Sequence, residues 1–141
     1  MTTNNFFVFD TNVLISALFD FNSLSAVALT KARNQGRLLV SKEIVSEYLS
    51  VFSRKKFDKW VSLENRINFI ENIIENSMFV NVTQQIFVCR DCKDNMFLSL
   101  AVSAQANCIV SGDKDLLTLH PFNGIPILAP SGFLKYASFT N

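Results

Sequence analysis

The chain has 141 residues, nearly half of them hydrophobic and 14 of them phenylalanine. That is enough apolar side chain to fill the core of one domain of common size, and it excludes a disordered tail. The formal charge is only +1, from 13 basic and 12 acidic residues, which excludes a protein that grips nucleic acid by bulk positive charge. Any such contact must be local or assisted by bound cations.

The first element predicted along the chain is a strand over 6–9, where Phe6-Phe7-Val8-Phe9 runs apolar without alternation, as in a strand buried on both faces. Asp10-Thr11-Asn12 then suits a turn or a helix cap. A helix is expected over 23–34, ended by Gly36, followed by a second strand over 37–40. Ser41 can cap a helix whose stripe is Ile44, Val45, Tyr48, Leu49 and Phe52. Another helix is expected over 63–75, carried by Ile67, Phe69, Ile70, Ile73 and Ile74, and a third strand over 78–82.

Residues 91–95 open a helix with the stripe Phe97, Leu98, Ala101 and Ala104. Cys108-Ile109-Val110 reads as a fourth buried strand ending in Ser111-Gly112-Asp113, with a short helix over 114–119. Residues 125–128 form a fifth strand, placed at an edge by Pro126, and a last short helix follows Pro130. Apolar strands alternating with helices argue for an α/β fold with a parallel sheet covered on both sides. No signal peptide or apolar run of membrane-spanning length is visible, so a cytoplasmic soluble protein is expected.

Cys89 and Cys92 form a C-x-x-C pair, but the only other cysteine is Cys108 and the only histidine is His120. A closed zinc site therefore lacks ligands, and three reduced thiols are the simpler expectation.

The acidic residues carry a stronger signal. In open parallel sheets, ligands bind at the carboxyl ends of the strands. Asp10 follows the first strand directly and Asp113 follows the fourth, so neighbouring strands would put both carboxylates in one crevice. Asp94, Leu98 and Ala101 stand at i, i+4 and i+7, which puts a carboxylate on the buried stripe of its helix, where it needs compensation. Glu47 lies off its helix's apolar stripe and by pattern alone is a solvated glutamate. Each acid has a plainer reading as well: Asp10 with Asn12 as a helix cap, Asp113 and Asp115 as turn residues, Asp94 as a buried capping acid. Gathered together they repel one another and need a hard divalent cation such as Mg²⁺ or Mn²⁺, which prefers oxygen ligands and can activate water for phosphodiester hydrolysis without histidine.

With these residues in view, the chain resembles the PIN-domain nucleases. The resemblance rests on Asp10-Thr11-Asn12-Val13, on Ser41-Lys42-Glu43-Ile44-Val45-Ser46-Glu47-Tyr48-Leu49, and on Cys89-Arg90-Asp91-Cys92-Lys93-Asp94-Asn95-Met96-Phe97. It continues through Ser111-Gly112-Asp113-Lys114-Asp115 and Ile127-Leu128-Ala129-Pro130-Ser131-Gly132. The whole looks like the branch formed by toxin components of bacterial toxin–antitoxin systems.

The resemblance implies a single PIN-like domain over 1–141, with about five parallel strands flanked by helices on both faces. It also implies Mg²⁺- or Mn²⁺-dependent endoribonuclease activity. It places Asp10, Glu47, Asp94 and Asp113 on the catalytic and metal-binding positions, with Asn12, Ser111 and Asp115 supporting them. A homodimer and a protein antitoxin are implied as partners, with RNA as substrate. The chain departs from the family where Asn95 replaces a second acid, where Cys92 replaces a proline and where Gly132 replaces a common acid.

Arg54, Lys55, Lys56, Lys59 and Trp60 form a basic stretch with interleaved aromatics that suits RNA phosphates and a stacked base. The rival is a solvated basic helix end with Phe57 and Trp60 packed inward. Two other functions compete with the nuclease: a non-catalytic RNA-binding module, kept open by Asn95, and an aspartate-nucleophile phosphatase. The latter would use Asp10 but needs a second Asp where Asn12 stands.

Overall fold

The computed structural model describes residues 5–88 and 92–136, so Cys89, Arg90 and Asp91 of the third acidic motif lie outside the described residues. Strand β1 (Asn5–Phe9) carries Phe7, Val8 and Phe9, each fully buried. Successive strand residues point to opposite faces, so both faces of β1 are covered, as its unbroken apolar run predicts.

Helix α1 (Thr11–Phe19) follows at once. A helix cap at Asp10 is expected from the sequence, but the extent of the helix is not. Thr11, Val13, Leu14, Ile15 and Ala17 are buried, which leaves a polar edge of only Asn12 and Ser16, too narrow to stand out as a stripe. Helix α2 (Leu24–Gln35) is capped by Ser23, whose Oγ accepts from the Ala26 N–H at 3.1 Å. Strand β2 (Gly36–Val40) opens on a residue that can only be glycine. A Cβ there would stand 2.0 Å from the carbonyl oxygen of Asn5 on β1.

Helix α3 (Lys42–Phe52) starts at Ser41, whose Oγ accepts from the Ile44 N–H at 3.2 Å, as expected. A 3₁₀ turn (Lys55–Phe57) leads to α4 (Leu63–Asn76). Strand β3 (Met78–Phe79) is shorter than the expected 78–82. It pairs with β2, which ends at Val40 where α3 begins, so little partner remains beyond the Val80 N–H bonded to the Val40 carbonyl at 2.8 Å.

Helix α5 (Cys92–Ala104) and strand β4 (Cys108–Val110) follow. Helix α6 (Lys114–Leu117) is shorter than expected, and β5 (Ile127–Leu128) excludes Ile125 and Pro126, the first of which instead pairs with Phe122 in an isolated bridge. Helix α7 (Pro130–Lys135) starts on its proline, where no N–H is needed.

The strand order is β3-β2-β1-β4-β5, with every neighbouring pair parallel. β5 stands at the edge, as expected, and Pro126 just before it offers β4 only its carbonyl, which accepts from the Ile109 N–H at 2.9 Å. β1 is central, with β2 on one side and β4 on the other, so the chain winds away from it in both directions. That reversal opens a crevice beyond the carboxyl ends of β1 and β4. Among the described residues, no single helix is long and apolar enough to cross a membrane.

Candidate active site

Phe9 pairs with Val110, so the residues that follow β1 and β4 emerge side by side. Asp10 extends the ladder by one bond, its N–H donating to the Val110 carbonyl at 3.0 Å. The residue is 5% exposed. Oδ1 accepts from the Val13 N–H at 3.0 Å and caps α1, while Oδ2 accepts from the hydroxyl of fully buried Ser111. The Ser111 Oγ in turn accepts from the Asp113 N–H at 3.0 Å. One serine thus ties the ends of two neighbouring strands to each other.

Asp113 caps α6 through Oδ1, which accepts from the Asp115 N–H at 2.8 Å. The capping reading of Asp10 is therefore correct, and Asp113, expected as a turn residue, is a helix cap as well. Neither role exhausts its group, because a carboxylate has two oxygens and about four acceptor sites. Asp94 stands in the first turn of α5 and is 7% exposed, as its place on the apolar stripe predicts. Carboxylate oxygens of Asp94, Asp113 and Asp115 lie within 4.8 Å of one another. Glu47, on α3, is half-buried and accepts from the Thr11 hydroxyl at 3.3 Å.

These groups meet in a cleft of about 160 Å³, lined by Asp10, Thr11, Asn12, Glu47, Asp94 and Asp113. Val51 and Phe97 supply its apolar wall, and Arg54 and Lys93 its cationic edge. Asn12 borders the cleft with an exposed side chain. Thr11, which the sequence reading leaves out, makes the contact to Glu47 instead; nothing separates it from Asn12 by type or spacing. Of the basic-aromatic stretch, only Arg54 lines this cleft. Phe57 is buried as the rival reading expects, but Trp60 is 62% exposed and leans on Phe19 at 6.1 Å between ring centres. His120 is occupied elsewhere, its Nδ1 accepting from the Ile127 N–H at 2.9 Å.

The electrostatics follow from burial and crowding. Burial pushes the pKa of Asp10 upward and the charge of Asp113 adds to the shift, against the lowering effect of the Ser111 and Val13 hydrogen bonds. Tyr48, fully buried, is also pushed upward, first by burial and then by Asp10 and Glu47, and donates its O–H to the Phe9 carbonyl at 2.5 Å. Burial pushes the Cys108 thiol up to about 12, which leaves it an inert core group.

The donor set fits a hard divalent cation. The acids offer oxygen only, and two ligands of one Mg²⁺ stand at most about 4.2 Å apart, twice a metal–oxygen distance of about 2.1 Å. The 4.8 Å spread of Asp94, Asp113 and Asp115 is within a small side-chain adjustment of that.

A family model described as "PIN domain" matches residues 7–115, a span that runs from β1 through every one of these acids. The chain belongs to the PIN domain family. A relative at 36% identity over 122 residues, covering 82% of this chain and 76% of its own, is the uncharacterized protein MJ1680 of Methanocaldococcus jannaschii. Three solved structures share the fold at low identity. VapBC2 from Rickettsia felis, bound to a DNA fragment from its promoter, aligns with TM-score 0.61 and 11% identity over 86% of this chain and 96% of that one. DNA-bound VapBC from Salmonella typhimurium gives 0.58 and 16% over 92% and 99%, and PAE2754 from Pyrobaculum aerophilum gives 0.56 and 14% over 95% and 96%. In this PIN domain the acids come from four separate elements or their ends, β1, α3, α5 and the β4–α6 junction, and only the fold unites them.

Proposed function

We propose that this PIN domain is a Mg²⁺- or Mn²⁺-dependent endoribonuclease and the toxin of a toxin–antitoxin pair. The observation that carries this reading is the convergence of Asp10, Glu47, Asp94 and Asp113 on one small cleft at the switch point of the sheet. Four carboxylates in so small a space are unfavourable unless a cation is present. Asp94, Asp113 and Asp115 are best placed to hold it, with Asp10 and Glu47 completing the acidic wall. Such an ion, when bound, supplies an activated water and charge neutralisation for phosphodiester hydrolysis.

The chain's own residues do the rest. Ser111 fixes the rotamer of Asp10 by donating to Oδ2, and Thr11 orients Glu47. Val51 and Phe97 exclude water from one wall. The antitoxin partner is supported by the two DNA-bound VapBC complexes that share this fold. A homodimer follows from the family likeness alone.

The direct test incubates end-labelled single-stranded RNA with the protein in Mn²⁺ and repeats the assay in EDTA. Internal cuts that vanish with EDTA are expected. RNA binding without cutting in any divalent metal would replace the enzyme by a binding module. Millimolar Mn²⁺ should also raise the melting temperature, since binding at a hundredfold excess over Kd stabilises the fold by about 2.7 kcal/mol. An unchanged melting curve would contradict a metal site. Trp60→Ala should weaken RNA binding and leave the melting temperature nearly unchanged, because the side chain is 62% exposed. A large loss of stability with unaltered affinity would return Trp60 to a packing role.

A further inference from the structure

We infer that Arg54 contacts a backbone phosphate of the substrate at the cleft and that buried Arg66 is the positioning residue that holds it there. The inference rests on the nuclease reading for the identity of the substrate.

Arg54 lines the cleft beside Asp10, Glu47 and Asp94, yet among the described residues it forms no ion pair with any acid. Its side chain is exposed. A guanidinium at the rim of an acidic cleft, left unpaired by those acids, is available to an anion. A polyanionic strand approaching this cleft meets repulsion from the carboxylates, and Arg54 offers two parallel N–H donors in the geometry a phosphate accepts. Lys55, Lys56 and Lys59 sit further along the same turn and do not line the cleft.

Arg54 does not hold this place by its own side chain. It begins the turn between α3 and α4, and that turn is wrapped around Arg66. Arg66 is fully buried. Its Nε donates to the Phe52 carbonyl at 2.7 Å, and its Nη1 to the Val61 carbonyl at 2.5 Å. Its Nη2 donates to the Arg54 carbonyl at 3.3 Å and to Asp58 Oδ1 at 2.8 Å. The acceptors run from the last residue of α3 to the residue before the α4 cap, so one planar cation closes both ends and the middle of the turn. A lysine has three donors on a flexible stem and cannot reproduce this fork. Burying a cation among carbonyls is unfavourable compared with an apolar residue of similar size, so packing alone does not account for it. What the clamped turn delivers is the Arg54 side chain at the cleft.

The test measures binding of a labelled single-stranded RNA oligonucleotide in EDTA across a salt series, with Mn²⁺-dependent kcat and KM measured in parallel. Arg54→Ala should weaken binding roughly tenfold and lower the slope of log affinity against log salt by about one, with no change in melting temperature. Arg54→Lys should restore the slope. Arg66→Lys should lower the melting temperature and, below it, weaken binding. The double variant should then bind no more than about twofold worse than Arg66→Lys alone, because Arg54 is already displaced. Full additivity would reduce Arg66 to a structural residue, and an Arg54→Ala protein with normal affinity and slope would remove the phosphate contact. If Arg66→Lys does not fold, Asp58→Ala loosens the same guanidinium from a position 57% exposed and should give the same non-additive pattern. Wild-type protein that binds RNA but never cuts it would remove the nuclease reading, and the salt slope of Arg54→Ala would still decide this one.

Discussion

Asp10→Asn is expected to lower metal-dependent RNA cleavage by several orders of magnitude and, in metal-free buffer at neutral pH, to raise the melting temperature. Both effects come from one charge. The substitution keeps the α1 cap, since the Asn side-chain oxygen can still accept from the Val13 N–H, and Asn caps as well as Asp. What it removes is the negative charge that would face a divalent ion in the cleft. It also turns the Ser111 contact round, since the amide NH₂ in place of Oδ2 donates to the serine oxygen rather than accepting from its hydroxyl.

The stability effect follows from the direction of the Asp10 shift. Its folded pKa lies above the ordinary 3.8, chiefly through burial. A group raised in this way binds its proton more tightly in the folded state. Its contribution to stability is complete below the unfolded pKa and is lost as pH rises through the folded one. At neutral pH, above the unfolded pKa, the raised group therefore works against folding, and Asn, which does not titrate, relieves it. The melting temperature of the wild type should fall as pH rises from about 4 through the raised pKa, and Asp10→Asn should flatten that slope. A variant that cleaves at the wild-type rate, or one that melts lower at neutral pH, would contradict the respective half of this expectation.

Phe133→Ala is expected to destabilise the protein by about 3–5 kcal/mol, a drop in melting temperature on the order of 10–20 °C. Phe133 is fully buried on α7 and meets the rings of Phe7 and Phe9 edge to face, at 5.4 and 6.2 Å. Lys31 lies over its ring at 4.8 Å and donates to its carbonyl at 2.7 Å, joining α7 to α2. Truncation opens a cavity directly behind the strand that leads into Asp10. Since a domain of this kind commonly holds about 5–15 kcal/mol in all, the variant should sit near its folding threshold at growth temperature. Thermal melts compared with Phe133→Leu, which keeps most of the volume, separate lost packing from lost aromatic geometry. A Phe133→Ala protein within 1 °C of wild type would mean that α7 does not help to close the core.

The sheet was readable because buried parallel strands announce themselves as short unbroken apolar runs. Phe7-Val8-Phe9 and Cys108-Ile109-Val110 are fully buried where such runs predict, and Pro126 correctly sends the fifth strand to the edge. Helix α1 was not readable as an element, because a helix buried on most sides shows only a narrow polar edge, here Asn12 and Ser16, too little to set a period. Arg66 was also invisible: it looks like a surface cation on α4, and only the carbonyls and the Asp58 carboxylate of a turn distant by 5 to 14 residues account for its burial. Among the acids, Asp94 showed itself through its place on an apolar stripe. Asp10 and Asp113 did so through their places after strands. Glu47 did not, since a half-buried glutamate beside an apolar stripe has the pattern of a solvated one. Its partner Thr11 is fixed by the packing of α1 against α3, which no local spacing encodes.

Anomalous diffraction from crystals soaked in Mn²⁺ tests the central claim most directly. A peak within coordination distance of the Asp94 and Asp113 carboxylates, lost in crystals of Asp10→Asn or much reduced there, is the expected result. A cleft with ordered carboxylates and no anomalous density at millimolar Mn²⁺, or a peak bound only at the surface away from Asp94 and Asp113, would contradict it.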